Sequence, residues 1–148
     1  VEGAKIVQLD ENRQVIPGSE EDIACDAICL SVGLSPLAEL CWLAGCKMAY
    51  IRELGGCVPL VDQTMQTTVA GVYAAGDVSG LEEATTAMLE GRLAGVSAAA
   101  ALGYSADRAA ALQADYRKEL KALRSGPMSE KIRTGLEKMA AKRGAVVC

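Results

Sequence analysis

Apolar positions fall into three kinds of pattern along this chain. At the start they alternate with polar ones. "AKIVQLD", a polar "ENR" and "QVIPGSEEDIACD" together predict a β-hairpin that ends near Asp26. Two short continuous apolar runs predict buried strands: residues 27–32, closed by Gly33 and Pro36, and "GVYAAGD" at 71–77, closed by Gly76 and Asp77. Between them, "LAELCWLAG" from Leu37 predicts a short helix stopped by Gly45. "GGCVPLVD" predicts a short strand region, which Pro59 confines to an edge or an irregular piece. The rest is helical in period. One helix is expected over 81–102, its start marked by Ser79 and Glu82 as a capping box with Gly80 allowing a tight entry. Gly91 and Gly95 cost that helix propensity, which implies close packing against another backbone. Two further stripes follow. Leu112, Tyr116, Leu120 and Leu123 form one, and Ile132, Leu136 and Met139 the other; "SGP" at 125–127 lies between them, and an αα-hairpin is expected.

The fold class implied is α/β, with a β-hairpin at the start and a helical hairpin at the end. A chain of 148 residues is long enough to bury a core. That core is unusual: Phe is absent, and the aromatics are Trp42, Tyr50, Tyr73, Tyr104 and Tyr116. Ala, Val, Leu and Gly must fill it, which suits close strand–helix layers around a flat ligand. The net charge of −4 conceals an asymmetry. Residues 1–104 carry 5 Lys and Arg against 14 Asp and Glu, and residues 105–148 carry 10 against 5. Either the basic end is a solvated helical tail, or it docks on an acidic surface, its own or a partner's. No nucleic-acid motif or aromatic stacking pattern accompanies it.

With no histidine, imidazole general-base chemistry and histidine metal ligation are excluded. The six cysteines are Cys25, Cys29, Cys41, Cys46, Cys57 and Cys148. None pair as Cys-x-x-Cys, so they are expected to be buried, reduced thiols of a cytoplasmic protein. No apolar run is long enough to span a bilayer. The most chemical stretch is Gly76 and Asp77. A strand tip, a glycine and a helix start form a crevice at a sheet edge. The N–H groups of Val78, Ser79, Gly80 and Leu81 are expected to face it, and Asp77 offers two acceptor oxygens for vicinal hydroxyls. Glu82 and Glu83 would oppose anion binding there. The alternative is that Asp77 merely caps the helix.

"QTTVAGVYAAGD" resembles the second FAD-binding motif of the two-dinucleotide-domain flavoprotein oxidoreductases. "DAICLSVGLSP" resembles the segment where those chains leave the NAD(P) domain for the FAD domain. Both occur in the family's order and at about its separation. The resemblance implies a partial Rossmann-like FAD/NAD(P)-binding fold: residues 1–32 as the end of the NAD(P)-binding domain, 33–104 as the C-terminal part of the FAD-binding domain, and 105–148 as a helical tail. It implies Asp77 as the ligand of the FAD ribitol, with Gly76, Val78, Ser79, Gly80 and Leu81 near the flavin or pyrophosphate. Thr67 would shape the preceding loop.

The stretches "GLSPLAELCWLAGC" and "EEATTAMLEGRLAGVSAAAALG" are most similar to the α-type subunits of sarcosine oxidase, opine or proline dehydrogenase and cyanide synthase. In several of those a [2Fe-2S] cysteine cluster follows, opening at a Val-Val-Cys stretch. "AVVC" would make Cys148 its first ligand, or an incidental cysteine. No G-x-G-x-x-G occurs, so the pyrophosphate cradle and the NAD(P) turn are not in this chain. The reading is a C-terminal portion of a flavin-dependent amine or imino acid oxidoreductase subunit with no catalytic residue of its own. It would bind FAD weakly or not at all when isolated, and would partner the rest of the flavoprotein, a β-type subunit or another copy of itself. The rival is a non-catalytic α/β interaction module with a basic tail.

Overall fold

Why each run folds as it does depends on what stands beside it. The computed structural model describes residues 1–144 and divides into two units, Val1–Gly33 and Leu34–Cys148. In the first, β1 (Gly3–Ile6) pairs antiparallel with β2 (Glu21–Ala24), Gly3 opposite Ala24 and Ile6 opposite Glu21. The ladder resumes at an isolated bridge between Leu9 and Val15. Asp10 Oδ1 closes the turn by accepting the N–H groups of Asn12 and Gln14, both at 2.8 Å. This is the expected hairpin. The buried strand expected at 27–32 does not form: the segment is irregular, with Leu30 80% and Val32 91% exposed. A strand needs a neighbour to take its N–H and C=O groups, and among the described residues none lies beside this run.

In the second unit α1 (Glu39–Leu43) is the short helix expected, and it ends as the sequence implies. Gly45 has φ +78 and donates its N–H to Trp42 O at 2.9 Å, and Cys46 N–H reaches Cys41 O at 3.0 Å. This is a Schellman motif, whose usual apolar contact is made here between the two buried residues Cys41 and Cys46. Burial, then the neighbouring Cys46, pushes the Cys41 thiol up. Cys29 and Cys57 are exposed, against the expectation of uniformly buried thiols. The chain continues into β3 (Met48–Ile51), which pairs antiparallel with β4 (Gly56–Pro59) across a 3-10 turn at Arg52–Leu54. Pro59 ends a strand of a two-stranded sheet, the edge position expected of it.

The run 71–77 is not a strand either. It is one arm of a narrow loop, bridged once between Gln66 and Tyr73. Thr67 N–H bonds to Val72 O at 2.8 Å, and Ala74 N–H to Met65 O at 3.0 Å. Its apolar side chains are taken up by helices and the loop, with no ladder alongside. Thr67, almost fully buried, ties the loop through its hydroxyl to both Val69 N–H and Val69 O, and receives the Cys46 thiol at 3.2 Å.

Among the described residues four helices build the rest: α1, α2 (Ala84–Ala101), α3 (Ala106–Leu123) and α4 (Glu130–Gly144). α2 buries Thr86, Leu89, Glu90, Leu93, Ala94 and Ser97, one face at helical spacing. It starts at Ala84 with Glu83 as N-cap and no side-chain cap. The expected Ser79 and Glu82 capping box is therefore absent; both side chains are engaged elsewhere. Gly91 and Gly95 are exposed, with nothing within 4 Å of a Cβ at either, so they mark no backbone contact. The glycine that does is Gly135 in α4, where a Cβ would meet Leu54 Cγ and Cδ2 at 2.7 Å.

The helical hairpin is not the one expected. α3 folds back on α2, while α4 packs on the Arg52–Leu54 turn and β3. The α2–α3 junction is closed by Gly103 N–H to Ala100 O at 2.9 Å and Tyr104 N–H to Ala99 O at 3.0 Å, with Gly103 at φ +87. Leu112, Tyr116 and Leu120 face inward and Leu123 is exposed. Ile132, Leu136 and Met139 face inward from α4 and, with Leu120 and Tyr116, join a core centred on Ile51, Leu54, Val58 and Leu93. No described helix is long and apolar enough to cross a membrane.

Candidate functional site

The loop that carries Gly76 and Asp77 ends in a 3-10 turn, Gly76–Val78, between the narrow loop and α2. Gly76 is buried with φ +79, a conformation that L side chains rarely adopt, and a Cβ there would press on Ala87 Cβ at 3.3 Å. Its N–H donates to Glu90 Oε2 at 2.8 Å. Its carbonyl accepts Ser79 N–H at 2.8 Å. Ser79 Oγ lies within hydrogen-bond distance of both Gly76 O (2.8 Å) and Glu90 Oε2 (3.1 Å). Gly80 N–H turns back to Asp77 O at 3.3 Å, and Leu81 N–H crosses to Leu54 O at 3.1 Å.

Glu90, 5% exposed, is the hub. Its second oxygen accepts from Arg124 Nη2 at 2.5 Å, and Arg124 also forks onto Glu82 through Nε (3.0 Å) and Nη2 (2.5 Å). Burial alone would lower the pKa of the Arg124 guanidinium; the bonds and charges of Glu82 and then Glu90 more than offset it and leave it raised. A buried carboxylate matched by a forked guanidinium and two further donors is a fully satisfied network, which fixes geometry more than it adds stability. A side chain from the end of α3 thus holds the Gly76–Val78 turn through a side chain of α2.

Asp77 stands apart. It is exposed, and its carboxylate accepts no hydrogen bond among the described residues. It does not cap α2, whose N-cap is Glu83. The expectation that N–H groups of 78–81 face an open crevice is corrected for Ser79, Gly80 and Leu81, whose protons are spent inside the chain. Val78 is half-buried against the core. Thr67 is one loop away, supporting the arm that leads to Gly76. Cys148 lies outside the described residues. Among the described residues no group of three or more Cys, Asp and Glu is arranged to hold a metal ion.

Glu90 and Arg124 were not singled out from the sequence. The available signal was a glutamate on the buried stripe of α2, since a carboxylate at that spacing needs a cation from elsewhere, and the basic C-terminal part supplies it.

A family model described as pyridine nucleotide-disulphide oxidoreductase matches residues 1–91, which include the whole Gly76–Val78 turn and Glu90. The chain is similar to an opine oxidase subunit of Rhizobium meliloti (strain 1021), 39% identical over 88 residues, covering 60% of this chain and 19% of that protein. It is also similar to the corresponding opine oxidase subunit of Agrobacterium tumefaciens (strain Ach5), 34% identical over 90 residues, covering 61% and 18%. A further opine oxidase subunit from Rhizobium meliloti is 33% identical over 86 residues, covering 58% and 16%. The chain thus matches less than a fifth of the length of each of these curated relatives. No solved structure matches it.

Proposed function

This chain belongs to the pyridine nucleotide-disulphide oxidoreductase family, and on that premise we propose that its Gly76–Val78 turn meets FAD, with Asp77 as the acceptor for the ribityl hydroxyls. The family is one of flavoprotein oxidoreductases with Rossmann-like nucleotide-binding folds. The observation that carries the proposal is the contrast along five residues. The N–H groups of Gly76, Ser79, Gly80 and Leu81 are spent within the chain, while the carboxylate between them is exposed and accepts no hydrogen bond among the described residues. An ionised carboxylate accepts up to four hydrogen bonds, which suits vicinal hydroxyls and would waste an exposed structural cap.

The fit is selective. Asp77 suits the sugar alcohol of the cofactor, but the turn keeps no row of free N–H groups for a pyrophosphate. Gly76 lets the turn pack against Ala87, and the Glu90–Arg124 pair holds it from within, so Asp77 is presented by a fixed backbone. When bound, the flavin would supply the hydride acceptor for oxidation of a substrate C–N bond, as the names of the opine oxidase relatives suggest. The proposed parent is an amine or imino acid oxidoreductase subunit in which this segment contributes to cofactor binding and no acid or base. NAD(P), a [2Fe-2S] centre and a β-type subunit belong to that proposal for the longer protein.

The test is a titration of the isotopically labelled chain with FAD, followed by nuclear magnetic resonance. Weak binding is expected, well short of the ~−8 kcal/mol of a micromolar complex, with shifts confined to residues near Gly76, Asp77 and Val78 and lost in Asp77→Ala. Shifts elsewhere, or shifts unaltered by Asp77→Ala, would remove Asp77 from the site.

A further inference from the structure

Because α3 packs on α2 and α4 on β3 and the Arg52–Leu54 turn, the two C-terminal helices diverge and leave a cleft between them. It encloses about 590 Å³, inside the ~300–1,000 Å³ typical of small-molecule sites. Its floor is apolar and deeply buried, made by Met65, Leu93, Leu120 and Met139. The polar groups on its walls divide into two sets. Asp62 is held by Arg143 at 3.2 Å and Glu90 by Arg124 at 2.5 Å, so those charges are matched in place. Arg117 and Lys121, one helical turn apart on α3, form no ion pair among the described residues, and the side chain of Gln63, which also lines the cleft, forms no hydrogen bond among them. The cleft therefore carries an apolar interior, two positive charges from one helix that are unmatched among the described residues, and an uncommitted amide.

We propose that this cleft binds an amphipathic carboxylate: an acyl chain laid along Leu93, Leu120 and Met139, with its carboxylate between Arg117, Lys121 and Gln63. The planar guanidinium of Arg117 matches a carboxylate through paired N–H bonds, and Lys121 adds a second charge from the same helix face. The site is separate from Asp77, which does not line it, and does not depend on the flavin proposal. Ser79, Glu90 and Arg124 line both this cleft and the Gly76–Val78 turn, and their polar groups are already committed to one another and to that turn.

Calorimetric titration of the 148-residue chain with hexanoate, octanoate, decanoate and decanol tests this. Each added methylene buried on the floor should tighten carboxylate binding roughly fourfold. Decanoate should bind at least tenfold more tightly than decanol. Arg117→Glu and Lys121→Glu should each weaken decanoate at least tenfold while leaving decanol unchanged, which also shows that each variant retains the fold. No binding of decanoate at millimolar concentration, no chain-length dependence, decanol binding as tightly as decanoate, or indifference to both charge reversals would each overturn the proposal.

Discussion

At the scale of single residues, Asp77 and Glu90 are opposite cases of the same chemistry. Asp77 has no side-chain partner to lose among the described residues, so Asp77→Ala should leave the stability of this chain within about 0.5 kcal/mol of the parent. Glu90→Ala removes one of the two carboxylates that hold the Arg124 guanidinium and orphans the buried Gly76 N–H, and should cost about 1–3 kcal/mol. Urea unfolding of the two variants measures both, and a large loss for Asp77→Ala would mean that its carboxylate holds the fold. The carboxylate that was legible in the sequence is the one at the surface, because a glycine–aspartate step after an apolar run is a local signal. Glu90 was hidden because its meaning depends on Arg124, 34 residues away, and no local pattern reports a partner brought by tertiary packing.

At the scale of elements, the helical stripes, the opening hairpin and the short strand at Gly56–Pro59 were readable, and the two runs expected as buried strands were not. Leu112, Tyr116 and Leu120, and Ile132, Leu136 and Met139, kept their period because a helix satisfies its own backbone wherever its apolar face goes. Residues 27–32 and 71–77 looked like strands from composition, but a strand is defined by its neighbours, and these runs have none or a single bridge. The same reasoning applies to which helices pair: the stripes do not say which faces meet.

Glycine substitutions test the packing directly. Gly135→Ala should destabilise by about 1–3 kcal/mol, since its Cβ would collide with Leu54, whereas an unobstructed helix position would gain from alanine. Gly91→Ala and Gly95→Ala, with open space around them, should each stabilise by about 0.5–1 kcal/mol. Thermal melts of the three variants check the signs. α4 also depends on pH. The hydrogen bond from Lys138 lowers the pKa of Glu53, tying α4 to the Arg52–Leu54 turn. A lowered carboxylate contributes above its unfolded pKa and loses that contribution as pH falls through the folded value. Proteolytic nicking near α4 should therefore rise on acidification below the ordinary carboxylate range of about 4, and Lys138→Met should flatten that rise.

At the scale of the whole molecule, the charge asymmetry resolves in cis. Arg124, Lys138 and Arg143 of the basic end pair with Glu82 and Glu90, Glu53, and Asp62 of the acidic part. Arg143 adds hydrogen bonds to the carbonyls of Leu60 and Thr67 at 2.7 and 3.1 Å. α3 is bound to α2 through a closed junction. What stays uncovered is apolar: Leu37, Leu40, Trp42 and Leu43 are each at least 71% exposed around α1. Apolar surface gathered in this way marks a contact, and we propose that in solution this face meets another copy and in a longer protein the remainder of the polypeptide. Light scattering across a concentration series should show association that Trp42→Glu reduces. A chain monomeric at every concentration would retire that expectation.

The Gly76 amide has a kinetic consequence. It sits next to a surface carboxylate, yet its proton is shielded and committed to Glu90. Its hydrogen exchange with solvent should therefore be slow for its position, and governed by how often the Arg124–Glu90 contact opens rather than by fraying of the loop. Measured against the amide of Ala70 in the same loop, that single proton would clock the opening of an ion pair contributed by a different helix.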